Sequence, residues 1–171
     1  MPPQPRTPTI EDPPETDVFS NARSQPLAVL QRVPGIAIME SRNFAQHAHG
    51  GPPASLDRVF ITFEIEDRRP HAISAERVEL LRASCRETAW RDRTPLHLTG
   101  YRLYRDTEDP IAKSPVRLAL PTVPGEYSIE IAYKAISAYQ ACDRFAFAVK
   151  LVIDGARLSL ELPLDIKRLR R

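Results

Sequence analysis

Four histidines and two cysteines carry most of the potential for metal or nucleophilic chemistry in this 171-residue sequence. Two of the histidines, His47 and His49, stand as H-x-H in NFAQHAHGGPP. In an extended strand, residues i and i+2 project to one side, so the pair can offer two imidazoles to one metal ion; zinc would then need further nitrogen, sulfur or carboxylate ligands. His97 or His71, each beside an expected strand, could supply the third. Against this, Gly50, Gly51, Pro52 and Pro53 follow at once and nothing alternates around the pair, which is the composition of a loop. A metal site needs rigid support for its ligands. The pair therefore reads first as solvent-exposed loop histidines, with a metal site of His47, His49 and His97 as the alternative.

Cys85 and Cys142 have no histidine close in sequence to act as a base for a thiolate. The N-terminus MPPQPRTPTIEDPPETD lacks the apolar region of an export signal, so the expectation is two reduced thiols, with Cys85 a small core residue and Cys142 closing a connection. Glu64, Glu66, Glu130, Glu161 and Asp165 fall on the polar sides of alternating segments, as on any solvated strand face. No G-x-S-x-G elbow, phosphate-cradling glycine loop or C-x-x-C pair occurs, and no cofactor is expected. Lys167, Arg168, Arg170 and Arg171 form a short basic tail that could meet phosphate or an acidic protein. The aromatics that would stack bases lie elsewhere, so nucleic acid is possible but not favoured. A net charge of +2 argues for neither nucleic acid nor an anionic surface. Nor is there a run of about 18 apolar residues to cross a bilayer. The chain reads as cytoplasmic.

The elements that must position these residues are strands. Ten of the seventeen prolines precede residue 54, and residues 1–25 mix proline with Glu, Asp, Thr and Gln, which offers little apolar surface to offset ordering entropy. That segment is expected to be an extended arm. Next, PLAVLQRVPGIAIME holds two short apolar runs, Leu27 to Val33 and Ile36 to Met39, around a Pro34-Gly35 turn; both read as edge strands. Leu27, Val29 and Leu30 make the first of them the candidate for adding to a partner's sheet. DRVFITFEIED alternates cleanly, with Val59, Ile61, Phe63 and Ile65 on one side. GEYSIEIAYKA does the same with Tyr127, Ile129, Ile131 and Tyr133, and SPVRLALP supplies Val116, Leu118 and Leu120. In TPLHLTGYRLYRD the apolar phase shifts at Gly100, the mark of a bulge or bend. SAERVELLRASCRETAW suits a strand or a helix, and strand is the reading taken.

The clearest element is FAFAVKLVIDGARLSLELPLDI. Asp154-Gly155 is the dipeptide of a two-residue type I′ hairpin, and taking it as the loop pairs Ile153 with Ala156, Leu151 with Leu158, Val149 with Leu160, Phe147 with Leu162 and Phe145 with Leu164. Every pair is apolar and all share one face. A slip of one residue would put an apolar row in water, so turn chemistry and pattern agree independently.

Trp90, the run Gly100-Tyr101-Arg102-Leu103-Tyr104, and Leu120-Pro121 leading to Gly125-Glu126-Tyr127 with Ile129 and Ile131 resemble part of a fibronectin type III or related immunoglobulin-like sandwich. The resemblance implies that Trp90 is a core tryptophan and Tyr127 a corner tyrosine whose hydroxyl bonds back to the backbone. It departs after the Tyr127 strand, where a full hairpin stands instead of one final strand. An antibody-like pairing of the cysteines fails, because Trp90 follows Cys85 too closely and Tyr139 stands three residues before Cys142.

The sequence thus reads as an all-β protein: an antiparallel immunoglobulin-like sandwich of about seven strands over residues 26–166, its core at 57–166, with an arm at 1–25 and a basic tail at 167–171. The expected role is a non-catalytic structural or protein-interaction module, a subunit of a hetero- or homo-oligomer docked through its arm. The alternatives are a small metal-dependent enzyme using His47 and His49, and an accessory subunit of a nucleic-acid complex.

Overall fold

A computed structural model describes residues 18–22, 27–47, 55–85, 89–106, 109–137 and 142–168. All regular structure among them is β. No helix there is long and apolar enough to cross a membrane. The strands are β1 (Val18–Ala22), β2 (Val29–Val33), β3 (Ile36–Met39), β4 (Arg42–His47), β5 (Ser55–Ile65), β6 (Ala72–Cys85) and β7 (Ala89–Pro95), then β8 (Leu98–Tyr104), β9 (Ala112–Ser114), β10 (Leu118–Ala119), β11 (Gly125–Ser137), β12 (Cys142–Ile153) and β13 (Ala156–Arg168). They form two sheets. The large one runs β1-β4-β13-β12-β6-β10 with β7 also on β6, and the small one runs β2-β3-β5-β11-β8-β9.

The apolar faces read from the sequence meet in one core. Ile36, Ile38, Val59, Ile61, Phe63, Ile65, Tyr127, Ile129 and Ile131 of the small sheet are buried with Phe147, Val149, Leu151, Ile153, Leu162 and Leu164 of the large one. β12 and β13 pair in the register expected, from Ile153 opposite Ala156 to Phe145 opposite Leu164. Asp154 and Gly155 both take positive φ, 50° and 82°, as a type I′ turn requires. The segment open to either reading is strand β6, held by β12 on one side and by β7 and β10 on the other. Helical spacing lost because a long strand in mid-sheet satisfies its ladder on both edges. The phase shift at Gly100 is a register shift: Ala132 faces Gly100, but the next residue, Tyr133, faces Leu98.

Several expectations are corrected. The described residues hold thirteen strands in place of about seven, because short pieces of residues 18–47 each take a place in a sheet. One pair is parallel: β4 runs beside β13 with Leu164 opposite Asn43. β1 lies inside the segment expected to be an arm, laddered to β4. β3 is not an edge strand; it lies between β2 and β5, and Ile36, Ala37 and Ile38 are fully buried. Val116 is 72% exposed, since only Leu118 and Ala119 pair with β6 while Leu118 and Leu120 turn inward. Glu130 is buried on the outer face of the small sheet, with Arg58 Nη1 3.1 Å from Oε1 and the Tyr104 hydroxyl donating to Oε2 at 3.4 Å.

Where a strand ends early, side chains take over its hydrogen bonding. Beyond the end of β3, the backbone of β5 is met by Ser41 and Asn43: Asn43 accepts from Phe60 N–H at 2.7 Å and donates to Phe60 C=O at 3.1 Å, and Ser41 Oγ accepts from Thr62 N–H at 2.7 Å. Here the chain leaves the small sheet for the large one, a corner made by a strand that switches sheets. On β6 the gap between β10 and β7 is filled twice. The Tyr101 hydroxyl crosses the core, accepts from Ala75 N–H and donates to Ala75 C=O, both at 3.1 Å, and Leu96 N–H donates to Val78 C=O at 2.9 Å. An unpaired buried backbone group costs roughly 1–3 kcal/mol. Tyr101→Phe should therefore lower unfolding stability by about 2 kcal/mol. Urea denaturation checks this as a fall in midpoint at unchanged slope.

Candidate interaction site

Three turns meet at one end of the molecule: Pro34-Gly35 between β2 and β3, the loop from Glu66 to Pro70 between β5 and β6, and Asp154-Gly155 between β12 and β13. His71, whose side chain is 2% exposed, stands between them. Its Nδ1 is 2.5 Å from Asp154 Oδ2 and its Nε2 is 2.6 Å from Asp67 Oδ1. Asp154 is itself fixed, accepting from Ala72 N–H through Oδ1 at 2.9 Å and donating its own N–H to Ala72 C=O at 3.1 Å. Asp67 also takes Arg69 Nε at 2.8 Å. Gly35, at φ +84°, leaves room for this carboxylate, and a Cβ there would collide with it.

The electrostatics follow from the geometry. Burial pushes the His71 pKa down, but the carboxylates of Asp154 and Asp67 outweigh it, and the net shift is upward from 6.5. The hydrogen bond from His71, then that from Arg69, hold Asp67 down to about 2. Both imidazole nitrogens face carboxylates, which favours the protonated ring and leaves both nitrogens engaged within the cluster. The cluster ties three turns and both sheets together.

The residues singled out for metal binding are placed as follows. His47 ends β4, opposite Arg168 of β13; His49 lies outside the described residues. His97 is exposed between β7 and β8, its carbonyl accepting from Lys134 N–H at 2.7 Å. Along the large sheet β13, β12 and β6 separate β4 from β7. Among the described residues no group of three or more His, Cys, Asp or Glu side chains is arranged to hold a metal. Lys167 and Arg168 end β13, and Arg170 and Arg171 lie outside the described residues.

The residues proposed for partner binding come together with others that the sequence did not single out. β2 is the end strand of the small sheet, with Leu27 half-buried before it, and Val29 and Leu30 are 42% and 47% exposed. Its register slips between Val29 and Gln31, so Leu30 is a bulge. Gln31 donates to Ser159 C=O at 2.9 Å, bracing this edge against β13. At the opposite end strand, β9, Ile111 precedes and Val116 follows, both exposed. An open hollow of about 290 Å³ lies beside it, lined by Gly100, Arg102, Lys113, Ser114 and others. The Tyr127 hydroxyl donates to Val123 C=O at 2.7 Å, the back-bond expected of a corner tyrosine. Val116 and Ile111 were not legible as edge residues because their exposure depends on how short β9 and β10 are.

Comparison with known proteins adds little. No family model matches the chain, and no curated protein matches it. Among solved structures it is similar to the CooA pilin subunit from enterotoxigenic Escherichia coli, at 6% identity and a TM-score of 0.37 over 74% of this chain and 89% of that one. A likeness this slight carries no argument.

The His71 cluster sets a pH dependence. A histidine whose folded pKa is raised stabilises the fold fully below its unfolded value of 6.5, and that contribution is lost as pH rises through the folded pKa. Asp67, depressed to about 2, contributes above 3.8 and loses its contribution as pH falls toward 2. The ion pair should therefore be strongest between about pH 4 and 6.5. Urea midpoints at about pH 5.5 and pH 8.5 should show the wild type losing more stability than His71→Gln across that interval.

Proposed function

We propose that this chain is a non-catalytic structural or protein-interaction module, a subunit of a larger assembly docked through the end strands of its small sheet. The observation that carries this is the distribution of exposed apolar side chains. Of the five large hydrophobic residues exposed among the described residues, Val29 and Leu30 lie on β2, and Ile111 and Val116 flank β9; the fifth is Val123. An end strand presents unpaired N–H and C=O groups to a neighbour, and exposed apolar side chains beside it give that pairing its hydrophobic contact.

In this reading the occupant is an extended segment of another subunit, added by β-augmentation. The bulge at Leu30 keeps the β2 edge from pairing indiscriminately, since it twists the strand locally and leaves only part of the edge regular. The Pro-rich segment at 1–25 supplies reach to a neighbour in the same reading, with β1 fastening it to β4.

The test is native mass spectrometry of the wild type and of a double variant, Leu30→Lys with Val116→Lys. Both positions are exposed, so the thermal transition should move little, by about 0.5 kcal/mol or less. The wild type should run as an oligomer or with a co-purifying subunit, and the variant as a monomer. An unchanged subunit count in the variant overturns docking through these edges.

A further inference from the structure

The two cysteines of the chain occupy one register position. β6 ends at Cys85, β12 begins at Cys142, and the ladder between these antiparallel strands pairs Cys142 directly with Cys85. The next pair is Ser84 with Arg144, so Asp143 is an extra residue on β12 and a bulge sits beside the cysteine pair. Directly opposed residues of an antiparallel pair have Cα atoms about 4.5 or 5.5 Å apart and project to the same face. A disulfide takes Cα separations of about 4.4–6.8 Å, a range that covers both spacings, so this register suits the bond. With two cysteines in 171 residues, a shared position on one ladder is a demanding coincidence for unrelated thiols.

We propose that Cys85 and Cys142 form an intramolecular disulfide that fastens β6 to β12 at the last position of their ladder. The bond lies within one sheet, unlike the antibody-type pairing between sheets that the spacing around Trp90 had already excluded. It replaces the expectation of two reduced thiols. Residues 86–141 between the cysteines carry β7 to β11, including three strands of the small sheet, so the bond closes a loop that contains core residues such as Tyr101, Leu103, Tyr127, Ile129 and Ile131. Such a loop is long, and its closure removes conformational freedom from the unfolded chain.

The chemistry is thiol–disulfide exchange with a disulfide oxidant such as oxidised glutathione. One thiolate attacks the oxidant, forming a mixed disulfide and releasing one glutathione thiolate. The second protein thiolate then displaces the other glutathione. Two protein thiols are oxidised, one external disulfide is reduced to two thiols, and the two cysteine protons end on the glutathione sulfurs. A bond of this kind persists in oxidising surroundings, so it runs against a cytoplasmic reading of the chain.

The test uses the full chain equilibrated with oxidised glutathione, folded, then treated with a maleimide and digested without reductant. The expected result is a cross-linked peptide pair joining Cys85 to Cys142, no maleimide on either, and an intact mass lower by two hydrogens. Reduction should lower the thermal midpoint by roughly 10 °C. Cys85→Ala and Cys142→Ala should each remove the response to reductant. Maleimide on both residues of the folded, oxidised wild type overturns the proposal, as does a disulfide found only between chains. Neither result depends on whether the end strands of the small sheet bind a partner.

Discussion

A slip of one residue between β12 and β13 would turn Phe145, Phe147, Val149, Leu151 and Ile153 away from Leu158, Leu160, Leu162 and Leu164, and the core of the large sheet would open to water. The molecule holds that register from several directions. Asp154 and Gly155 accept the positive φ values that a two-residue turn imposes. The Asp154 carboxylate then bonds Ala72 and His71, so the turn is fixed to the start of β6 as well as to its own strands. Through His71 and Asp67 the same fixation reaches the small sheet, where Glu66 N–H meets Gly35 C=O at 2.8 Å. One hairpin turn is thereby coupled to the relative placement of two sheets.

The second constraint is that strands of unequal length leave backbone groups to satisfy. β3 is shorter than β5, and β10 and β7 together do not cover β6. Ser41, Asn43 and Tyr101 supply the missing donors and acceptors from side chains. These polar groups are buried among apolar neighbours and are tolerated because each is paired. Among the described residues, exposed apolar side chains sit on β2 and beside β9, the two end strands of the small sheet.

Much of the fold was legible in the sequence where two local signals coincide. The β12–β13 register followed from a turn dipeptide and an alternating pattern that agree; β5 and β11 followed from alternation alone; the slip beside Gly100 followed from a phase change. The segment of β6 was ambiguous because Val78, Leu81 and Cys85 fit a helical face, and only its neighbours on both sides decide for a strand. β4 was missed because its partner β13 lies far along the chain, and β1 because its place depends on β4. The His71 cluster was missed for a related reason. Asp154 reads as a turn residue and Asp67 as a loop charge until three turns are brought to one place. Glu130 looked solvated because alternation reveals which side of a strand a residue occupies, not that Arg58 and Tyr104 will cover it.

The parallel pairing of β4 with β13 also constrains the order of assembly. β4 belongs to residues made early in synthesis, and its partner segment, Leu164 to Arg168, is made late. On a ribosome the strand that leaves the small sheet at Ser41 has only β1 to pair with in the large sheet until β13 emerges and pairs with β12. During that interval β1 and β4 are a two-stranded ribbon with an open edge, marginal in water on its own. A chain of this topology closes its large sheet last, and the window between translation of β4 and of β13 is when it is most open to proteases and to mispairing with another copy of itself.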